Sequence, residues 1–451
     1  MRLTGSFLGC ILLGSTPLIA HADPPLGAKP VIKDLLRDVS PKMIEKYDRK
    51  LVSFGTRNTN SAQNDPRRGI GAARDWIYSE FQKISAACNG CLEVRKQTFL
   101  QGQGRRIPVP VNITNITATL RGLNDPDRVY VVSGHYDSMC GDPSDGDCDA
   151  PGANDDGSGT AAVIEMARVM SKQRYDATII FMAVAGEEQG LFGSTYFADQ
   201  AKKKNMDIEG MFTNDIIGGA RTFRDLPDRN SVRVFAEGVP SNETERQATM
   251  RRNVGGENDS PARQLGRFIK ETTDLYSPDF KVKLIYRRDR YLRGGDHIPF
   301  LEHGYPAVRF TEPHEDYNHQ HQNVRKEGGI FYGDTPEYIE FDYIAKVTRL
   351  NIASLARLAL APPVPKNARI KLNRLTNDTD LAWSASTAGD IAGYEIVWRE
   401  TTSPFWTNST YVGDVTNYTM KDMSKDNWFF GIRAVDKEGY RSPAAYPQPK
   451  Y

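Results

Sequence analysis

The side chains able to do chemistry in this 451-residue chain are carboxylates and imidazoles, several of them placed at the ends of apolar runs. His135-Tyr136-Asp137 closes the run that holds Val129-Tyr130-Val131-Val132, Glu187-Glu188 follows Ala177 to Val184, and Asp215 stands between Asn214 and Ile216. Between the first two lies Gly152-Ala153-Asn154-Asp155-Asp156-Gly157-Ser158-Gly159-Thr160, two adjacent carboxylates among glycines, directly before the apolar segment Ala161 to Met166. Further on, His314, His319 and His321 crowd into one short stretch of a chain with only 7 histidines, and Asp296-His297 follows a Gly-Gly pair. Imidazole nitrogens and carboxylate oxygens are the donors of zinc and related cations. A lone carboxylate in an apolar segment, such as Asp215, is costly to bury unless it is paired or metal-bound. Singly, each motif has a blander reading. His135 could end a strand at the surface, Asp155-Asp156 could cap the helix that follows, and Glu187-Glu188 could be a solvated loop pair. Jointly they favour a metal cage. Consecutive side chains point apart in regular structure, so one of Asp155 and Asp156 is expected as a ligand and the other as a cap or support. Glu187 and Glu188 invite a similar division, one taking a proton from water and the other holding metal.

The elements that must position these groups alternate. Strands are predicted over 92–100, 111–120, 128–134, 177–184, 210–215, 282–286 and 307–310. Helices are predicted from Ser40-Pro41, over 71–87, 160–172, 191–204 and 263–273, and from Thr335-Pro336 to about Leu360. That alternation predicts an α/β fold, a mostly parallel mixed sheet flanked by helices, with ligands bound beyond the carboxyl ends of the strands. Ala361-Pro362-Pro363-Val364-Pro365 is a stiff linker. Beyond it short strands and turns predict a small all-β sandwich at the C-terminus. The expected organisation is a signal peptide over 1–22, a catalytic domain over 23–360, a Pro-rich linker over 361–366 and the sandwich over 367–451.

The leader reading rests on Arg2, the mostly apolar stretch Phe7 to Ile19, and the small-x-small site Ala20-His21-Ala22. Gly14, Ser15 and Pro17 break that stretch, which argues against a membrane span, and the mature chain is expected to be secreted, extracellular or periplasmic. Cleavage leaves Cys88, Cys91, Cys140 and Cys148, an even set that reads as disulfides in an exported chain, with local pairing of 88 to 91 and 140 to 148 preferred. Asn112-Ile113-Thr114 and Asn242-Glu243-Thr244 are glycosylation acceptors in a host that glycosylates. A formal net charge of +1 argues against nucleic acid or an anionic membrane as the main partner.

The ordered series Gly134-His135-Tyr136-Asp137-Ser138, Gly152 to Gly159, Gly186-Glu187-Glu188 with Gly193-Ser194, Asn214-Asp215, Gly295-Asp296-His297-Ile298-Pro299-Phe300 and the late histidine loop resembles the secreted di-zinc aminopeptidases. Their family also includes glutamate carboxypeptidases and glutaminyl cyclases. The resemblance spans roughly residues 46–360. It implies two zinc ions per chain, with His135, Asp155, Glu188 and Asp215 as ligands, Asp155 bridging, and Glu187 as general base. The family's last ligand is a histidine followed four residues later by an acid. His319, with Asn323 at that distance, is the first candidate, His321 the second and His314 the third. Asp137, Asp296, His297 and Tyr317 are expected around the ligands or at the substrate. Trp383, Tyr394 and the alternation Trp428-x-Phe430-x-Ile432-x-Ala434 resemble a fibronectin type III module, with Trp428 where that family has a tyrosine.

The implied chemistry is peptide hydrolysis, in which two cations about 3.5–4 Å apart lower the pKa of water and polarise the scissile carbonyl. The expected activity is a zinc aminopeptidase acting on peptide or protein substrates. A carboxypeptidase or dipeptidase of the same chemistry would need a cationic pocket, for which Arg287, Arg288, Arg290 and Arg293 are at hand. A third reading is an adhesion protein with an inactive peptidase domain. A surface, polymer or protein is left open as a partner of the C-terminal module.

Overall fold

A computed structural model describes residues 27–219, 228–373 and 375–450. The expected signal peptide over 1–22 lies outside the described residues. The chain begins with α1 (Pro30–Asp38), α2 (Pro41–Val52) and α3 (Ile70–Ala87). Ser40 caps α2, its hydroxyl accepting the Met43 N–H, with Pro41 at the first helical position. Then come β1 (Leu92–Gln101), β2 (Val111–Leu120), β3 (Asp125–His135), α4 (Gly159–Met170) and β4 (Ala177–Val184). They are followed by α5 (Glu187–Gly190), α6 (Phe192–Lys203), β5 (Asp207–Asn214), β6 (Ser231–Ala236), α7 (Glu245–Val254) and α8 (Pro261–Tyr276). The remainder of this part is β7 (Lys281–Ile285), α9 (Ile298–Glu302), β8 (Ala307–Thr311), the ribbon β9 (Arg325–Glu327) and β10 (Ile330–Tyr332), and α10 (Phe341–Leu360).

Eight strands form one mixed sheet in the order β1-β2-β4-β3-β5-β8-β6-β7, whose central four are parallel. Both faces are covered, so β4 is buried at every position and β3 from Arg128 onward, which accounts for their unbroken apolar runs. On one face α4 and α10 pack with the N-terminal helices in the main core, and on the other Phe197, Ala198 and Ala201 of α6 lie against Val131, Met182 and Met211. The register brings the strand ends level. His135 of β3 lies opposite Val184 of β4, and Asn214 of β5 opposite Phe310 of β8. Residues just past these strands therefore meet at one edge.

One expectation is corrected and one strand was unforeseen. The helix predicted from Thr335-Pro336 begins instead at Phe341. Pro336–Tyr338 makes only a 3₁₀ turn, and Glu340 is extended because its N–H is drawn 2.8 Å to the Gly218 carbonyl. β6, not foreseen, carries the alternation Val232, Val234, Ala236 and enters the sheet antiparallel to β8.

After the linker, β11 (Arg369–Lys371), β12 (Thr379–Ala382), β13 (Ile391–Glu400), β14 (Asn408–Gly413), β15 (Asn417–Met420), β16 (Trp428–Asp436) and β17 (Gln448–Lys450) form separate sheets of four and three strands. Leu381, Trp383, Tyr394, Ile396, Phe430 and Ile432 are buried between them. Cys88 is bridged to Cys91 and Cys140 to Cys148.

Candidate metal centre

The Gly-rich loop between β3 and α4 turns sharply because Gly152 takes a left-handed φ of 55°. Its far end passes so close to β5 that a Cβ on Gly159 would lie 2.2 Å from the Asn214 carbonyl oxygen. This packing separates the two aspartates. Asp156 turns inward as a brace, its carboxylate accepting the N–H groups of His135 at 2.9 Å, Gly159 at 3.0 Å and Ile216 at 3.3 Å. Asp155 faces the cleft. One of its oxygens lies 3.1 Å from His135 Nε2 and the other 2.8 Å from His321 Nε2.

Two groups of donor atoms result, each with its atoms within 4.8 Å of one another: His135, Glu187 and Asp215 in one, Asp155, Glu188 and His321 in the other. A third, Cys140 with Asp145 and Cys148, has its thiols joined in a disulfide. His135 is buried, and its Nδ1 lies 3.1 Å from the Asp137 main-chain carbonyl, which leaves Nε2 directed at the carboxylates. Asp137 supports His135 from behind, its main-chain carbonyl 3.1 Å and its Oδ1 3.6 Å from Nδ1. Its carboxylate accepts the N–H groups of Glu187 at 3.3 Å and Glu188 at 3.1 Å, holding the turn into α5. Asp215 is paired at 2.8 Å with Arg309, a fully buried guanidinium within β8.

The late histidine loop departs from expectation. His319 is not at the site. Its Nδ1 is bonded to Asp316 at 2.8 Å and its ring stacks 3.5 Å from Tyr338. His321, in a left-handed backbone conformation (φ 52°), turns back to lie 2.8 Å from Asp155 and 3.1 Å from Glu188. His314 is exposed and belongs to neither donor group. Asn323, four residues beyond His319, accepts the Gly141 N–H and so ties this loop to the Cys140–Cys148 loop. Asp296 is buried near the first group, whereas His297 is turned away, its Nε2 2.8 Å from the Arg288 carbonyl. Tyr317 stands 65% exposed at the rim of a cleft of about 690 Å³, floored by Asp155, Glu187, Glu188, Asp215 and His321. Sequence reasoning passed over Arg309, although a cation inside Ala307-Val308-Arg309-Phe310 was a signal. Asp334 carried no signal.

The electrostatics suit positive charge. Burial alone would lower the His321 pKa, but Glu188 and Asp155 outweigh it and push it up to about 11. Burial opposes ionisation of Asp215 too, yet Arg309 and His135 hold it down at about 2. Burial drives Glu187 well above the usual range against the pull of His135, with Asp215, Glu188 and Asp296 adding to the rise. Buried Glu188 Oε1 has no hydrogen-bond partner, and His135 Nε2 and His321 Nε2 face carboxylate oxygens at 2.8 to 3.1 Å without forming an aligned hydrogen bond. Nitrogen and oxygen donors aimed together without satisfying one another fit zinc.

The fold and these donors define a zinc metallopeptidase. The pattern of peptidase family M28 matches residues 115–327. A probable zinc metalloprotease of Pyricularia oryzae is 50% identical over 92% of this chain and 84% of its own length. One of Leptosphaeria maculans is 48% identical over 93% of this chain and 97% of its own. Among solved structures, LapB from Legionella pneumophila matches with a TM-score of 0.54 and 18% identity over 74% of this chain and 76% of LapB, a likeness of fold. The chain belongs to peptidase family M28.

Proposed function

We propose that this metallopeptidase is a secreted aminopeptidase, removing N-terminal residues from peptides with two zinc ions held by His135, Asp155, Glu188, Asp215 and His321. The observation that carries the two-cation reading is Asp155, whose two oxygens face different histidines at 3.1 and 2.8 Å. A carboxylate so placed would serve two cations, one beside His135 and Asp215 and the other beside Glu188 and His321. When bound, zinc supplies Lewis acidity to the scissile carbonyl and a lowered pKa to water.

The chain's own groups supply the rest. Glu187 lines the cleft beside the donors, where its carboxylate is placed to take a proton from water and return it to the leaving amine. Carboxylates lining the cleft would hold a free α-amine, and Met139 and Leu191 on its wall would help to exclude water from the reacting bond. LapA of Legionella pneumophila, described as an aminopeptidase, shares the fold with a TM-score of 0.51 and 16% identity, covering 78% of this chain and 79% of its own.

A carboxypeptidase is the second reading, because Arg290 and Arg293 line the same cleft. It is weaker, since both donate to Glu315, at 3.1 and 2.6 Å, while Arg288 pairs with Glu302. The broken apolar leader and the two disulfides support secretion. The strands over 369–450, with Trp383 packed on Tyr394, support a fibronectin type III-like module over 367–451.

The test is product analysis by mass spectrometry on mixed peptides with free or acetylated N-termini, with and without a zinc chelator. Chelator-sensitive trimming of free N-termini alone is expected. Shortening from C-termini would replace this reading with the carboxypeptidase.

A further inference from the structure

The segment that delivers His321 runs outside the sheet from the end of β8 to the start of α10, and its two stems grip the same residue, Asn154. At the first stem, Glu312 is completely buried and its Oε2 accepts the Asn154 side-chain N–H at 3.0 Å, as well as the Gly219 N–H. At the second stem, Asp334 accepts two successive backbone N–H groups, Asn154 on Oδ1 at 2.7 Å and Asp155 on Oδ2 at 2.7 Å. The Asp334 carbonyl also accepts the Ala153 N–H at 3.2 Å. Asn154 reaches in the other direction too, its side-chain oxygen accepting the Gly218 N–H at 2.7 Å, just beyond Asp215. Asn154 thus joins the loops that carry Asp155, Asp215 and His321.

The geometry points to Asp334, acting with Asn154, as a positioning residue that sets the separation of the two cation positions. This inference rests on the two-cation reading above. Asp155 can serve both positions only if its backbone is fixed relative to His135 on one side and His321 on the other. His135 is fixed by the sheet, but His321 lies on a long loop outside it. A carboxyl group accepting two adjacent N–H groups is a stiff link, and here it runs from the His321 loop to the backbone of Asp155 itself. Groups that orient ligands from behind typically govern metal affinity by about 10–100-fold. An amide in place of Asp334 keeps its shape but turns one acceptor into a donor facing a backbone N–H.

The experiment measures zinc equivalents and affinities by chelator competition on the full chain, for the wild type, Asp334→Asn and Asn154→Ala, with circular dichroism and thermal unfolding of each. The wild type is expected to hold two equivalents. Asp334→Asn is expected to keep the first equivalent and to bind the second about 10–100-fold more weakly, with its fold intact. Asn154→Ala, which spares the Asp334 contacts but cuts those to Glu312 and Gly218, should weaken the second equivalent as well. Folded variants that hold both equivalents at wild-type affinity would overturn the inference and leave the two-cation reading standing. Asp334→Asn failing to fold while Asn154→Ala binds like the wild type would also overturn it, making Asp334 purely structural. A wild type that holds a single equivalent would overturn the two-cation reading, and this inference with it.

Discussion

At the scale of single residues, the division of labour between neighbours is what makes the site. Asp155 and Asp156 are adjacent, yet one faces the cleft and the other braces three backbone N–H groups. Glu188 sits in a donor group with His321 and Asp155, while Glu187 lies beside His135 and Asp215. Glu187→Gln is expected to lower kcat by about 10²–10⁴-fold while leaving bound zinc unchanged by elemental analysis; loss of zinc instead would make Glu187 a ligand. The two late histidines separate as cleanly. His321→Ala should lose one zinc equivalent and peptidase turnover together. His319→Ala should keep both, because that ring contacts Asp316 and Tyr338. Zinc content measured beside activity on one peptide decides between them, and zinc loss in His319→Ala alone would reverse the assignment.

At the scale of elements, the central strands deliver the site and carry a titratable cost of their own. In β5, burial pushes Glu209 up to about 7 from an ordinary 4.5, against the pull of Arg128 and a hydrogen bond from Tyr130. The folded state therefore holds this proton more tightly than the unfolded chain. The contribution of Glu209 to stability is full below pH 4.5 and declines as pH rises to about 7. Urea unfolding of Glu209→Gln across that window should lack this decline, differing from the wild type by a slope of about one proton. Parallel slopes would mean that Glu209 ionises normally. Much of this level was legible in the sequence, because β3 and β4 are buried on both faces and had to be apolar throughout. The break before α10 was not, since it depends on the Glu340 N–H meeting Gly218, far away in the chain.

At the scale of the whole molecule, the C-terminal strands are fastened to the catalytic part by buried charge. Asp259 takes Arg267 of α8 on one oxygen at 2.8 Å and Arg399 of β13 on the other at 2.6 Å, all three side chains at most 1% exposed. Arg267 also donates to the Pro404 carbonyl, and Trp406 donates to Gln264. Removing one partner of a buried ion pair strands the other charge, at about 3–5 kcal/mol. Asp259→Ala should therefore lower the thermal midpoint of the entire chain by several degrees in calorimetry. A single lower transition is expected; an unchanged catalytic transition with only the C-terminal part melting early would show the two to be energetically separate.

The amino-acid sequence by itself determined the alternation of strands and helices, the change of pattern after the proline-rich linker, and the donors in the loops after β3, β4 and β5. These follow from local rules of burial period, caps and turns, and from the short distance between a strand end and the residue after it. Only the tertiary structure decided that His321 and not His319 meets Asp155, that Arg309 balances Asp215, and that Asp334 grips the backbone of the Asp155 loop. The physical reason is the same in each case. These contacts join segments distant in the chain, and a long loop outside the sheet has no periodicity from which the direction of its side chains could be read.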